Sequence, residues 1–282
     1  MTKKVLITGM QGFLGNRLKD ILCNKYEIFG LARNEHLDGD TVIYSSSKLS
    51  GIKIKPDYVI ICHAAVSSGN LKQINDDLYN VNVRLTEDVI KTFNDSKIIY
   101  ISTASIFLNT GAIITEHTAS SPINSYSISK CWAEQVILSN SEAVILRLSS
   151  LYGIGMKDNT IIPNYVNQAL QNKTIEVWGE GSRKQNYTHI NDVCFYIEKC
   201  IHHFDKVKNK ILLPVHSKEY SNKELAVLIS KYTDAVITYL NTDNAPSYHY
   251  DNKITQQLLN WSPISNFEQE INNYIQWKQK QF

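Results

Sequence analysis

The stretch VLITGMQGFLGNRL, residues 5–18, limits the fold more than any other part of the chain. Gly9, Gly12 and Gly15 stand at intervals of three, after a run of β-formers and ahead of a helical pattern. In a strand–turn–helix of this kind the first glycine permits the tight turn and the second lets backbone amides approach a pyrophosphate. The third lets the helix pack close to the sheet. The helix start then presents unpaired amides and the positive end of its dipole to an anion. Gln11, Phe13 and Leu14 fill the turn between the glycines and are expected to line the same ligand. The pattern implies a dinucleotide-binding unit.

Short apolar runs recur through the first half: KVLITG, YEIFGLAR, TVIYS, DYVIICHAA, KIIYIS and AVILRLSS. Continuous rather than alternating apolar character marks strands buried on both faces, as in a parallel sheet covered by helices. GFLGNRLKDILCN, VNVRLTEDVIKTF and SYSISKCWAEQVILSN lie between them with helical spacing. The alternation predicts an α/β fold, a doubly wound Rossmann-type parallel sheet over residues 1–150. YSSSKLSG, residues 44–51, reads as a polar loop. Beyond Ser150, prolines and the WGEGSRKQ turn punctuate shorter helices such as SNKELAVLISKYT. This predicts a smaller, irregular C-terminal substrate domain from 151–190 and 216–282, with a segment near 191–215 returning to the first domain. It is expected to close over the carboxyl edge of the sheet, where open α/β sheets bind ligands.

Composition narrows the partners. The 29 basic and 27 acidic side chains leave a net charge of +2, with no basic block interleaved with aromatics, so nucleic acid is not expected. Cys23, Cys62, Cys131, Cys194 and Cys200 are scattered without metal-ligand spacing and are expected to be reduced thiols, with no metal bound. The first apolar run is too short for a signal segment or a membrane span, which predicts a cytoplasmic protein with no membrane partner.

Two further constellations carry chemistry. Where an NAD-preferring unit would place a carboxylate on the adenosine ribose, about 20 residues beyond the loop, GLARNE supplies Ala32 followed by Arg33. A guanidinium can grip a 2′-phosphate and no carboxylate repels it, so NADP(H) is the preferred cofactor, with NAD(H) possible. Tyr126 and Lys130 are four apart in NSYSISKCWAEQ and so share a helix face. A neighbouring ammonium and the positive nicotinamide ring of an oxidised cofactor both favour the phenolate over its reference near ~10, so Tyr126 is expected to exchange a proton near neutrality.

Together with the glycine loop and YSISK, the stretch YISTASIF resembles the extended short-chain dehydrogenase/reductase family of nucleotide-sugar epimerases, dehydratases and reductases. HAA at 63–65, NVRLT from Asn82, RLSSLYG, WGEGSRKQNYTHINDV and LLNWSPISNFEQEI are similar to later landmarks of that family, in order. The resemblance implies a catalytic set of Thr103, Tyr126 and Lys130. It also implies cofactor contacts at Ala64, Ala65, Asn82, Ser102 and Ser149, and substrate contacts at Thr103, Ser150, Asn159 and Arg183. His63 and His189 are expected to be structural.

Departures from the pattern sort the possible reactions. The family's dehydratases carry an acidic pair after the catalytic threonine, for which this chain has Ala104 and Ser105. Its epimerase-reductases use a cysteine and a histidine, for which Ser105 and a histidine-free YGIGMKDNTIIP stand here. The resemblance then implies NADPH-dependent reduction of a 4-keto nucleotide sugar, of the 6-deoxy class. The alternatives are a C4-epimerase with retained NAD, a catalyst for a non-nucleotide carbonyl, or a non-catalytic NADP(H)-binding sensor or scaffold. The family often has Asn at Ser150 and Arg at Gln185 for the substrate diphosphate; Arg183 or Lys184 could substitute. Many relatives form homodimers through the helix carrying the Tyr/Lys pair, and its stripe of Ile128, Trp132 and Val136 suits either such an interface or plain core.

Overall fold

A computed structural model describes residues 2–66, 76–107 and 111–281. Its main sheet has eight strands: β1 (Lys4–Thr8), β2 (Glu27–Ala32), β3 (His36–Asp38), β4 (Thr41–Ser45), β5 (Tyr58–Ile61), β6 (Lys97–Thr103), β7 (Ala143–Leu148) and β8 (Lys210–Leu212). Their spatial order is β8-β7-β6-β5-β1-β2-β4-β3, parallel throughout except for the β3–β4 edge hairpin. Strand order reverses at β1, which pairs with β2 on one side and β5 on the other. Ligands of doubly wound sheets bind at such a switch point.

Alternation along each strand sends side chains to two cores. Val5, Ile7, Ile60 and Val144 pack with α1 (Phe13–Leu22) on one face, while Leu6, Val59, Ile98 and Tyr100 pack with α2 (Leu85–Thr92) and α3 (Ser125–Asn140) on the other. Both faces are covered, which is why the strands read as unbroken apolar runs. α3 begins where Asn124 and Ser127 form a reciprocal capping box, fixing the first turn that carries Tyr126.

Two local expectations need correction. Residues 46–51 form a tight 3-10 helix rather than an open loop, because the Ser45 hydroxyl caps the Ser47 amide. The helical run leading into α2 starts with an α-turn at Asp76–Tyr79 and continues as a π-wound turn over Asn80–Arg84. Such turns often mark functional positions.

Past β7 the chain builds a third core around Tyr152, Tyr165, Val177, Tyr187, Leu225, Phe267 and Ile271. It lies among α4 (Ile161–Asn172), α6 (Asn222–Thr233), α7 (Phe267–Gln279) and small sheets formed by 150–152, 184–189 and 219–221 and by 174–178 with 236–240. Between them α5 (Ile190–His202) returns to pack on α1. Asp192, at the start of α5, accepts from the amides of Ile264 and Ser265 and so ties the C-terminal loop to the first core. Among the described residues no helix is long and apolar enough to cross a membrane.

Candidate active site

Many of the sequence-predicted site residues lie at the carboxyl ends of β1, β2, β5, β6 and β7, while Tyr126 and Lys130 stand on α3 and Asn159 and Arg183 lie in loops past β7. Gly9 leaves β1 at φ +65°, its amide bonded to the Leu31 carbonyl at 2.8 Å and its carbonyl accepting from Gly12 at 2.9 Å. A Cβ at Gly9 would lie 2.8 Å from the His63 backbone, and one at Gly15 would lie 2.4 Å from the Gly9 carbonyl oxygen. The turn therefore admits only glycine at these positions. Gly12 is the N-cap of α1 and provides no side-chain cap. The first-turn amides of Phe13, Leu14 and Gly15 are thus left to an outside acceptor. A backbone cradle of this form fits the pyrophosphate of a nicotinamide dinucleotide. A cleft of about 490 Å³ flanks the turn, lined by Gln11, Phe13, Arg17, Gly155, Asn191 and Glu270.

At the end of β2, Ala32 is buried and Arg33 is exposed. Among the described residues the Arg33 guanidinium has no hydrogen-bond or ion-pair partner, while Gln11 reaches His36 beside it at 3.3 Å. At the end of β5, His63 is held between the hydroxyls of Thr8 (2.7 Å) and Thr86 (3.1 Å). Burial, helped by the Lys130 ammonium, pushes its pKa down to about 3, so it is a neutral structural strut. His189 has a comparable place between Ser265 and Glu270.

Thr103 ends β6, and Tyr126 and Lys130 stand on successive turns of α3 packed against it. The Tyr126 phenol is hydrogen-bonded to Thr103, whose hydroxyl also donates to Ser105 at 3.0 Å. Lys130, 2% exposed, donates to the Ile101 carbonyl at 2.7 Å and lies 4.1 Å from the centroid of the Tyr100 ring. The expected depression of the phenol pKa is overturned for the chain by itself. Burial pushes Tyr126 up to about 12, against a smaller downward pull from the Thr103 hydrogen bond. Desolvation disfavours the phenolate more than its neighbours favour it, and Tyr126 holds its proton at neutral pH.

Other assignments shift on inspection of side-chain partners. Asn82 is fully buried; its amide accepts from the Ala65 amide at 2.7 Å and donates to the Ala65 carbonyl and the Ser129 hydroxyl. Its side chain pins the loop at Ala65 to α3. The Ser102 hydroxyl donates to Glu134 under α3. Ser149 is occupied by Asn186 (2.8 Å) and Thr188 (2.9 Å). Ser150 is exposed, and so is Asn159 in the turn before α4, with no contact tying Asn159 to the trio. Gln185 is engaged with Asn222. Arg183, just before the 184–189 strand, donates to the Pro246 carbonyl and acts on Tyr187, whereas Lys184, its first residue, acts on Glu224. Sequence reasoning missed Tyr100 and Glu134, which adjoin Lys130, and Arg147, which pairs with Glu134. The signal for Glu134 was its spacing of four from Lys130 on the same helix.

Comparison with known proteins agrees with this geometry. GDP-6-deoxy-D-talose 4-dehydrogenase of Aggregatibacter actinomycetemcomitans is 28% identical over 210 residues, 70% of each chain. dTDP-D-glucose 4,6-dehydratase of Dictyostelium discoideum is 26% identical over 68% of this chain and 54% of its own length. Several curated relatives are thus about twice as long as the part matched. UDP-glucuronic acid 4-epimerase from Bacillus cereus, solved with UDP-glucuronic acid and NAD, superposes with a TM-score of 0.86 over 99% of this chain and 100% of that one, at 18% identity. Residues 5–213 match the model of the NAD dependent epimerase/dehydratase family, a span that runs from the first strand through the glycine turn and the trio to β8. With the glycine turn, the Thr103–Tyr126–Lys130 arrangement and the sheet in place, the chain belongs to that family, the extended short-chain dehydrogenase/reductases that act on nucleotide sugars.

Proposed function

We propose that this chain reduces the C4 ketone of a 6-deoxy nucleotide sugar with NADPH. The observation that carries the reading is the unpartnered Arg33 at the end of β2, where a carboxylate would favour NAD. A 2′-phosphorylated cofactor suits a reduction that consumes it, and the 28% identical relative is named as a nucleotide-sugar 4-dehydrogenase, an enzyme of net redox chemistry.

When bound, the nicotinamide cofactor supplies the hydride. Tyr126 gives its phenolic proton to the alkoxide oxygen that forms at C4, a role suited to a phenol that keeps its proton at neutral pH. Thr103 donates to the same oxygen and fixes the carbonyl relative to Tyr126. Lys130 holds the cofactor ribose and favours departure of the Tyr126 proton as the alkoxide develops. Dehydration finds no acid and base at the two positions after Thr103: Ala104 is buried in a small apolar cluster and the Ser105 hydroxyl is bonded to Thr103. Arg183, which acts on Tyr187, is proposed as the substrate phosphate contact in place of Gln185. The working form is proposed to be a homodimer joined through α3.

The test is incubation with NADPH and a panel of 4-keto-6-deoxy nucleotide sugars, following NADPH absorbance and sugar products. Stoichiometric NADPH loss with one alcohol formed supports the reading. Sugar interconversion without net cofactor loss means an epimerase. Tight NADPH binding with neither outcome means a binding protein.

A further inference from the structure

Beneath the Tyr126–Lys130 face lies a buried ionic cluster that takes no direct part in the proposed reaction. Glu134 is 0% exposed and sits one helical turn beyond Lys130 on α3. Its carboxylate accepts from Arg147 Nε at 3.2 Å and Nη2 at 2.7 Å, and from the Ser102 hydroxyl. Arg147, from the adjacent β7, is 3% exposed and packs over the Phe107 ring at 5.0 Å. Buried ion pairs are poor stabilisers, since apolar side chains of equal volume hold a core at least as well. The position of this one points to a use at the neighbouring lysine.

Lys130 is enclosed. Tyr100 from β6 lies under it, Tyr126 and Glu134 flank it on α3, and Cys62 and His63 face it from the end of β5. Among the described residues its one hydrogen bond is to the uncharged Ile101 carbonyl. Of these neighbours Glu134 is the one paired with a guanidinium; His63 is neutral, and burial keeps the Cys62 thiol protonated. Burial drives Lys130 down to about 7, and the Glu134 carboxylate is the largest influence opposing it.

We propose that Glu134, held in place by Arg147 and Ser102, is a positioning residue that keeps Lys130 charged, and that the buried cluster exists for this purpose rather than for stability. The catalytic consequence rests on the reductase reading; the electrostatic statement does not. Glu134 never touches substrate and acts wholly through the ammonium one turn away.

The experiment follows the Lys130 Cε resonance against pH in the full chain labelled with [13C]lysine and free of cofactor, the peak identified by its absence in Lys130→Arg. The midpoint is expected near neutrality in the wild type and at least about one pH unit lower in Glu134→Gln. Glu134→Asp, which restores the charge, and Ser102→Ala, which removes only a hydrogen bond, should both stay near the wild-type midpoint. If Glu134→Gln fails to fold around an unpaired Arg147, Glu134→Gln/Arg147→Met removes both charges and should still titrate below wild type. A Lys130 midpoint unmoved by loss of the carboxylate overturns the proposal, whatever the enzyme does. The second readout is the pH–rate profile of NADPH oxidation, whose limb should move with the Lys130 midpoint. A shifted midpoint in a chain that reduces no sugar leaves the electrostatic inference standing and removes the reductase reading.

Discussion

Side chains at the strand ends divide into those that meet ligands and those that hold the first set in place. Arg33, exposed and without a partner among the described residues, is the proposed member of the first set. Arg33→Asp should weaken NADPH and favour NADH, changing the ratio of their dissociation constants by at least about 100-fold, since a charge-assisted grip on phosphate is exchanged for repulsion. Cofactor fluorescence titration measures this, and an unchanged ratio would remove the basis for assigning NADP(H). His63 belongs to the second set, and its effect is on stability. Its folded pKa of about 3 lies below the ordinary 6.5, so between those values the unfolded chain binds the extra proton. Stability therefore holds above pH 6.5 and declines as pH falls towards 3. Taking the chain from pH 7 to pH 5 should cost about 2 kcal/mol through this group alone. In urea unfolding, His63→Asn should be less stable at pH 7 yet lose less on acidification; parallel losses in the two proteins would refute the buried neutral imidazole.

Elements were legible where their signal was local. The six apolar runs correspond to β1, β2, β4, β5, β6 and β7, because a strand covered on both faces has no solvent side on which to place polar residues. The glycine turn was legible because each glycine answers a separate steric demand. Gly15 illustrates this, since it lies inside α1 and needs no positive φ, yet an added methyl would meet the Gly9 carbonyl oxygen at 2.4 Å. Gly15→Ala should push α1 off the turn, weakening NADPH binding by at least about tenfold and lowering the melting temperature, because backbone cannot swing aside as a flexible side chain can. Binding and melting indistinguishable from wild type would mean that the close approach is not required. What sequence left obscure were side-chain commitments set by three-dimensional neighbours. Asn82 and Ser102 stand in the positions the resemblance gave them, but their polar atoms are taken up by Ala65, Ser129 and Glu134, partners from elements distant in sequence. The Tyr126 pKa of the chain by itself was hidden for a related reason: spacing revealed the neighbouring lysine but not the depth of burial.

At the scale of the whole molecule, the remaining choice concerned the α3 stripe, which in sequence suited either core or interface. Ile128 is 49% exposed and Trp132 53% exposed, so neither is core. The Trp132 ring lies 5.5 Å from that of Tyr79, itself 46% exposed, which extends the patch onto the neighbouring helical segment. Exposed aromatic side chains clustered on one helix face are the composition of an interface anchor. A twofold axis through such a face brings the same patch of each subunit together, so one substitution acts twice in the dimer. Trp132→Glu would place two like charges in the joint and remove its largest apolar contact. The expected result is a wild-type dimer and a variant monomer at micromolar concentration by analytical ultracentrifugation, with matching circular dichroism because Trp132 faces away from the core. Monomeric wild type, or a variant of unchanged mass, would show that α3 does not join two copies and that its apolar face serves another purpose.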